Sequence, residues 1–347
     1  MNISPNYIGN CGVPCFIIAE VGLNHNGDFD LARRSIEAAA RCGVDAVKFQ
    51  NFKTEDFLTD RTMQYTYKSQ GKEITEPLYN ICKRSEFRRE WIGPLKALCD
   101  KLEIEFMSTP TSEGGVMDLV NAGVKILKNG SDYLTHIPLL KFMGQTGLPV
   151  IVSTGMAYFG EIDDVVNAVK ASGNEQIILL HCVSNYPTHD KDVNLRRMVA
   201  LRERYGLPVG FSDHTLGWLA AVQAVTLGAV AIEKHFTLDK NLPGPDHWFS
   251  LDPAELKTYV EEIRRAELRM GRQDISPAQG EIQIRDEYRL GIVVARRVEK
   301  GQLLAKEDVA FRKPCRGLLP KELEEYLGKR FTVSLDVGQP IKAKHFE

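Results

Sequence analysis

Along the first 270 residues, short apolar runs alternate with stretches whose apolar positions recur at helical spacing. Eight runs rich in β-branched residues fall at 15–21, 45–50, 104–109, 124–130, 149–154, 177–183, 207–215 and 230–237. Between them, 29–42 carries Leu31, Ala32, Ile36, Ala39 and Ala40 on one helical face, and 86–102 reads the same way; each predicts a helix. Runs this continuous fit strands buried on both faces, as in parallel sheets. Eight strand-then-helix units predict an α/β fold, a (β/α)8 TIM barrel over residues 1–270. An open doubly wound sheet fits less well, because no GxGxxG turn follows the first run.

The pattern then changes. Residues 271–287 are polar and contain Pro277 and Gly280, which predicts a linker. Residues 288–347 form a shorter unit: strand-like 292–295, a turn at Glu299-Lys300-Gly301, a helix at 320–327, strand-like 331–335 and a closing Gly338-Gln339-Pro340-Ile341. This predicts a compact β-clip-like domain, too small to carry much chemistry alone.

Composition narrows the function classes. The chain is 43% hydrophobic and 26% charged, ordinary for a globular protein with a sizeable core. Lys and Arg number 44 against 46 Asp and Glu, with no long run of one sign, so neither a nucleic acid nor a membrane surface is an expected partner. The start of the chain, residues 1–13, lacks a basic segment followed by an apolar core, and no apolar run reaches the roughly 18 residues that cross a bilayer. Seven scattered cysteines, Cys11, Cys15, Cys42, Cys82, Cys99, Cys182 and Cys315, make no CxxC pair. They read as reduced thiols of a cytoplasmic protein, with Cys182 in the core.

Candidate chemistry lies where the apolar runs end, since a barrel builds its active site at the C-terminal ends of its strands. Glu20 ends the first run, Lys48 and Gln50 the second, Ser108 and Thr109 the third, Lys128 and Ser131 the fourth. Ser153, then Ser184 and Tyr186, then Ser212, Asp213 and His214, and finally Glu233 and His235 end the others. Two lysines with several hydroxyls suit a small phosphorylated carboxylate; a Schiff base on one lysine is the alternative. His214 and His235, at consecutive strand ends, suit a divalent transition metal with oxygen co-ligands. Glu20 could be a general base or order a metal, or form a buried salt bridge with Lys48. Asp246, in the rigid Pro243-Gly244-Pro245-Asp246-His247 loop, could meet a substrate. Asp213 and Glu233 are expected only to orient neighbours.

Several motifs in order carry a resemblance: Ala19 to Gly27 (AEVGLNHNG), Val47-Lys48-Phe49-Gln50, Ser108-Thr109-Pro110, Ser153-Thr154-Gly155-Met156, Tyr186-Pro187-Thr188, Gly210 to Thr215 (GFSDHT), Glu233 to Thr237 (EKHFT) and Gly244-Pro245-Asp246-His247. With them, nearly the whole chain resembles the sialic acid synthase family. The resemblance implies condensation of phosphoenolpyruvate with an amino-sugar aldehyde. It places Lys48, Thr109, Lys128, Ser131, Ser153, Ser184 and Ser212 on phosphoenolpyruvate. Glu20, Gln50, Tyr186 and Asp246 would surround the acceptor sugar and the reacting carbons, Asn24, Tyr133 and Lys313 would join Tyr186 and Asp246 on the acceptor side, and His214 and His235 would hold Mn²⁺, with Mg²⁺ or Co²⁺ as alternatives. The terminal unit is implied to be a SAF, or antifreeze-like, domain that is exchanged in a swapped homodimer. Two positions depart from the family pattern: Asp132-Tyr133 follows Ser131, and Lys313 stands where an arginine is expected, with Arg316 nearby. Rival readings are an octulosonate- or heptulosonate-phosphate type synthase, a Schiff-base aldolase, and an inactive carbohydrate-binding homologue.

Overall fold

The structure, a computed structural model, describes residues 13–347; Cys11 and the start of the chain lie outside the described residues. Two compact units meet at Gly271, the second spanning Arg272–Glu347. The first unit contains strands β1 (Phe16–Gly22), β2 (Ala46–Asn51), β3 (Gln64–Ser69), β4 (Lys72–Pro77), β5 (Glu105–Pro110), β6 (Leu127–Asn129), β7 (Val150–Ser153), β8 (Ile177–Cys182), β9 (Val209–Asp213) and β10 (Ala231–His235). All but β3 and β4 form one parallel sheet in the order β5-β2-β1-β10-β9-β8-β7-β6, and β5 lies beside β6. The sheet therefore curls into a nearly closed barrel with helices outside, as the eight-unit pattern requires.

Strand alternation decides what faces inward. On β1, Ile18 points into the barrel, Ala19 points outward to the helices and Glu20 points in again. The inward layer of Phe16, Ile18, Ala46, Met107, Ile126, Ile151, Ile178, Leu180 and Ala231 packs into one cluster. It fills the lower barrel, so polar side chains can gather only above it. Each of its large residues contributes about 1.5–3 kcal/mol on burial. The outward-facing Ile17, Val47, Phe49, Phe106, Val152 and Leu179 join helix residues such as Leu95, Val165 and Ile263 in the main core.

Two details depart from the sequence expectation. The predicted helix at 86–102 is a short 3-10 turn, Arg89–Trp91, followed by a helix over Ile92–Lys101. Pro94 has no N–H to donate and is tolerated only in a first helical turn, so the regular helix starts just before it. Residues 64–84, which lie between the expected units, form the antiparallel hairpin β3–β4 and a helix, Leu78–Arg84. Gln70 and Gly71 make its turn at φ of 53° and 73°, the left-handed pair that closes a tight hairpin.

In the second unit, β11 (Gly291–Val294) pairs antiparallel with β12 (Val309–Arg312). Ile292, Val294, Val298, Leu304, Leu318, Phe331, Leu335 and Ile341 form its own core. The strand-like 331–335 makes only isolated bridges, Phe331 to Phe346 and Leu335 to Val298. The expected linker carries a helix, Gln279–Tyr288. Pro277 precedes it and the Glu281 carboxylate accepts from the Ala278 N–H at 2.7 Å, a cap that offsets the cost of Gly280.

Candidate active site

Parallel register brings the polar strand ends together. Glu20 of β1 stands beside Lys48 of β2 on one side and His235 of β10 on the other; Glu233 pairs with Ser212 of β9, which pairs with Cys182 of β8. Above the apolar plug they line a cavity of about 510 Å³ with Gln50, Thr109, Lys128, Ser131, Asp132, Tyr133, Ser153, Ser184, Tyr186 and His214.

At its floor lie two buried lysines and two buried carboxylates. Lys48 Nζ is 2.8 Å from Glu20 Oε2 and donates to Thr109 Oγ1 at 3.0 Å. Lys128 Nζ donates to Ser153 Oγ at 2.7 Å and to the Asn129 carbonyl at 3.0 Å. Glu233 Oε2 sits 3.7 Å from both ammonium groups, and Ser212 donates to its Oε1 at 3.0 Å. Glu233, expected only to orient neighbours, is thus the counter-ion that two like charges need when buried side by side. Burial disfavours its charge, yet Lys128 and Lys48 outweigh that and hold its carboxyl down at about 2. Glu20 goes the other way. Burial and the nearby Glu233 charge raise it above the carboxylate range despite Lys48, while Gln50 Nε2 donates to its Oε1 at 2.8 Å. Two carboxylates driven apart in this way divide into a fixed anion and a proton acceptor. Burial, helped by the like charge of Lys48, lowers the Lys128 ammonium despite Glu233.

The two imidazoles adjoin this cluster, ring centroids 5.5 Å apart, with the Tyr186 ring 4.1 Å from that of His214. His214 Nδ1 is 2.8 Å from the Val183 carbonyl, which turns Nε2 toward Ser212 Oγ at 3.4 Å. His235 Nδ1 is buried without a hydrogen-bond partner, 3.7 Å from Asp246 Oδ2. Burial first, then His214 and Lys48, push His235 well below its usual range, so it is a neutral donor of the kind metals bind. Among the described residues no three His, Cys, Asp or Glu side chains form a ligand cluster. Burial and the Glu20 charge raise the Asp246 carboxyl to about 7.

Other expected residues fall elsewhere. Asn24 does not line the cavity: its amide donates to the Phe236 carbonyl at 2.9 Å and to Ser250 Oγ at 3.0 Å, tying the first loop to the last. Lys313 lies in the second unit, its ammonium 5.2 Å from the Tyr288 ring centroid. Cys182, expected in the core, lines the cavity with Sγ 3.9 Å from His214 Nδ1, because strand alternation turns it inward. The residues missed outright are Leu23, Phe52, Phe57, Tyr65 and Leu78, all cavity-lining; the Gln70-Gly71 dipeptide between alternating Tyr65, Tyr67 and Ile74 was the available signal.

A parallel barrel with a lysine–carboxylate cluster and two imidazoles at its strand ends defines a protein of the TIM-barrel class with a polar cavity at the mouth where such barrels carry their active sites. Comparison with known proteins narrows that class: residues 35–274 match the NeuB family and residues 290–347 the SAF domain, and the chain belongs to the NeuB family. It is 41% identical to the N,N'-diacetyllegionaminic acid synthase of Legionella pneumophila, over 96% of this chain and 95% of that protein. It is 33% identical to the pseudaminic acid synthase of Helicobacter pylori, over 96% and 98% respectively. Among solved structures, the N-acetylneuraminic acid (sialic acid) synthetase of Leptospira borgpetersenii superposes with a TM-score of 0.69 at 36% identity, covering 78% of this chain and 90% of that one.

Proposed function

We propose that this chain is a nonulosonic acid synthase. It joins phosphoenolpyruvate to an open-chain amino sugar of the N-acetylmannosamine type and releases phosphate by C–O cleavage. The observation that carries this is the pair of buried lysines sharing Glu233 within hydrogen-bonding reach of Thr109, Ser153 and Ser212. A phosphorylated carboxylate would give the two ammonium groups and the hydroxyls further acceptor oxygens, and the cavity of about 510 Å³ leaves space for a sugar above it.

The electron flow follows from that placement. C3 of phosphoenolpyruvate attacks the aldehyde carbon, and the carbonyl oxygen takes up a proton to become a hydroxyl. Water adds to the cationic C2 and its proton passes to Glu20, whose raised pKa suits a base. The C2–O bond to phosphate then breaks, inorganic phosphate departs, and loss of the hydroxyl proton leaves a 2-keto acid. Lys48 and Lys128 hold the anion throughout, and Gln50 fixes the Glu20 oxygen that it donates to.

His214 and His235 would hold a divalent ion, Mn²⁺ first and Mg²⁺ or Co²⁺ next. When bound it would supply Lewis-acid polarisation at the acceptor's carbonyl oxygen. The neutral His235 imidazole, with an unpartnered nitrogen and its ring centroid 5.5 Å from that of His214, supports that assignment. The reading extends to a cytoplasmic homodimer with exchanged terminal domains, on the family resemblance; a fully active monomer in light scattering would overturn that part. No helix among the described residues is long and apolar enough to cross a membrane.

The test is phosphate release from phosphoenolpyruvate with Mn²⁺ and each of several amino sugars, repeated after chelation. Release that needs both sugar and metal supports the reading. A lysine trapped by borohydride with pyruvate, with no metal requirement, would replace it with a Schiff-base aldolase.

A further inference from the structure

The loop that carries Asp246 is built around a buried histidine. Among the described residues no hydrogen bond fixes the Asp246 carboxylate, whose Oδ2 lies 3.7 Å from His235 Nδ1, so its direction is set by the backbone that bears it. The next residue, His247, is 1% exposed, and both of its ring nitrogens are engaged. Nδ1 lies 2.7 Å from Thr237 Oγ1 and Nε2 3.3 Å from Asn26 Oδ1. Asn26 in turn donates from Nδ2 to the Pro243 carbonyl at 2.9 Å.

These contacts fix where the protons are. A carbonyl can only accept, so Pro243 faces the Asn26 nitrogen and Asn26 Oδ1 is left to accept from His247 Nε2–H. Burial lowers His247 to about 4, which leaves the ring one proton at neutral pH, so Nδ1 accepts from the Thr237 hydroxyl. One chain of donors thus runs from Thr237, two residues past β10, through His247 to Asn26 in the turn after β1, and back to the loop at Pro243. The approach is close. A Cβ on Gly244, where φ is 149°, would stand 2.8 Å from His247 Cδ2 and 3.2 Å from Asn26 Oδ1, so only glycine lets the loop close on the ring. Asn24 adds a second hold, because the Ser250 hydroxyl that accepts from it donates to the Asp246 carbonyl at 2.6 Å. The β3–β4 hairpin adds a third: the Gly244 N–H donates to Ser69 Oγ at 3.2 Å and Gln70 Nε2 to the Asn241 carbonyl at 3.0 Å.

An imidazole is costly to bury unless both nitrogens find partners, and here both partners belong to the strand ends that bear Glu20 and His235. We propose, resting on the synthase reading above, that His247 is a positioning residue: through Thr237 and Asn26 it locks the loop to the ends of β1 and β10, so that the Asp246 carboxylate is held beside His235 where the acceptor sugar meets it. His247 touches no substrate and acts only through its neighbour. A shift of the loop moves that carboxylate and leaves the lysine floor in place, because Lys48 and Lys128 stand on β2 and β6.

The experiment uses three substitutions. Thr237→Val removes the hydroxyl and keeps the shape, Thr237→Ser keeps the hydroxyl, and Asn26→Gly removes the amide at a residue whose φ is 51°, where glycine adds no strain. Phosphate release from phosphoenolpyruvate with Mn²⁺ and the amino sugar that the wild type turns over fastest gives kcat/KM for the acceptor, and calorimetry gives the dissociation constant of phosphoenolpyruvate. Thr237→Val and Asn26→Gly should each lower acceptor kcat/KM by about 10- to 100-fold, the scale of a misplacement of about 1 Å, with phosphoenolpyruvate binding unchanged. Thr237→Ser should recover most of the loss. In an Asp246→Asn background, read as single-turnover release at excess enzyme, the first two substitutions should cost no more than about twofold, because residues that act through one group are not additive. A strut that only stabilises the fold would cost the same factor in both backgrounds. Unchanged kcat/KM in both variants, phosphoenolpyruvate binding that weakens as much as turnover, Thr237→Ser as impaired as Thr237→Val, or the full factor in the Asp246→Asn background overturns the inference and leaves the synthase reading intact. Absence of phosphate release by the wild type with every sugar overturns that reading and the inference with it.

Discussion

Replacing Lys234 by Met tests whether the outward faces of β9 and β10 hold the site together. Alternation points Ser212, His214, Glu233 and His235 into the cavity and turns Asp213 and Lys234 the other way, where they are buried and in register. Lys234 Nζ lies 3.0 Å from Asp213 Oδ2 and also donates to the Thr215 carbonyl. Tyr259, on the helix Pro253–Met270, donates to the same Asp213 oxygen at 3.0 Å. Asp213 Oδ1 accepts from the Thr215 N–H at 2.8 Å and from its hydroxyl at 2.7 Å, which fixes the turn holding His214. Lys234→Met leaves the Asp213 carboxylate buried without a cation, a loss of about 3–5 kcal/mol. At roughly 2–4 °C per kcal/mol for a domain of this size, melting should fall by about 6–20 °C. Adding Asp213→Asn should restore part of that, because a neutral pair no longer strands a charge. Thermal melts of the wild type and both variants make the measurement. A single variant that melts within about 2 °C of the wild type, on the scale of one kcal/mol, would refute the idea that this pair supports the histidine-bearing strands.

Three other outcomes can be checked. Glu233→Gln removes the carboxylate shared by Lys48 and Lys128, so the free enzyme should lose about 3–5 kcal/mol and saturating phosphoenolpyruvate should restore much of it; equal loss with and without the ligand in melts would count against the shared floor. His214→Ala and His235→Ala should each abolish chelator-sensitive turnover and weaken Mn²⁺ binding in calorimetry, and full activity in the double variant would remove the metal from the mechanism. His25, enclosed by Phe49, Phe87 and Trp91, is lowered by burial to about 4. The unfolded chain then binds the extra proton first. Its contribution is present above pH about 6.5 and is lost as pH falls toward 4, by at most about 3 kcal/mol. Urea midpoints measured across that range should fall less steeply for His25→Met than for the wild type; identical slopes would exclude His25 as a source of acid sensitivity.

Hydrophobic period alone determined much of this protein. Continuous β-branched runs can be satisfied only by strands covered on both faces, and eight of them interleaved with helical segments close into a barrel. Because a barrel's strands end at one mouth, Glu20, Lys48, Lys128, Ser212, His214 and His235 were legible as a constellation before any coordinate was known. What the order of residues could not express was which of two neighbouring carboxylates would carry the charge. That depends on the distances from Glu233 to two lysines that lie 185 and 105 positions away in the chain, and on how burial raises Glu20 instead. Strand alternation likewise put Cys182 beside His214, since a side chain's direction on a strand is set by register and not by its polarity, and the turn after β1 sent Asn24 to bind the Phe236 carbonyl and Ser250. The hairpin over β2 escaped notice for the same kind of reason. Leu23, Phe57 and Leu78 have no shared period and become one surface only when the Gln70-Gly71 turn folds back and the loop after β10 pins it. The motifs mark out a barrel with a polar mouth; the apolar wall beside that mouth exists only in three dimensions.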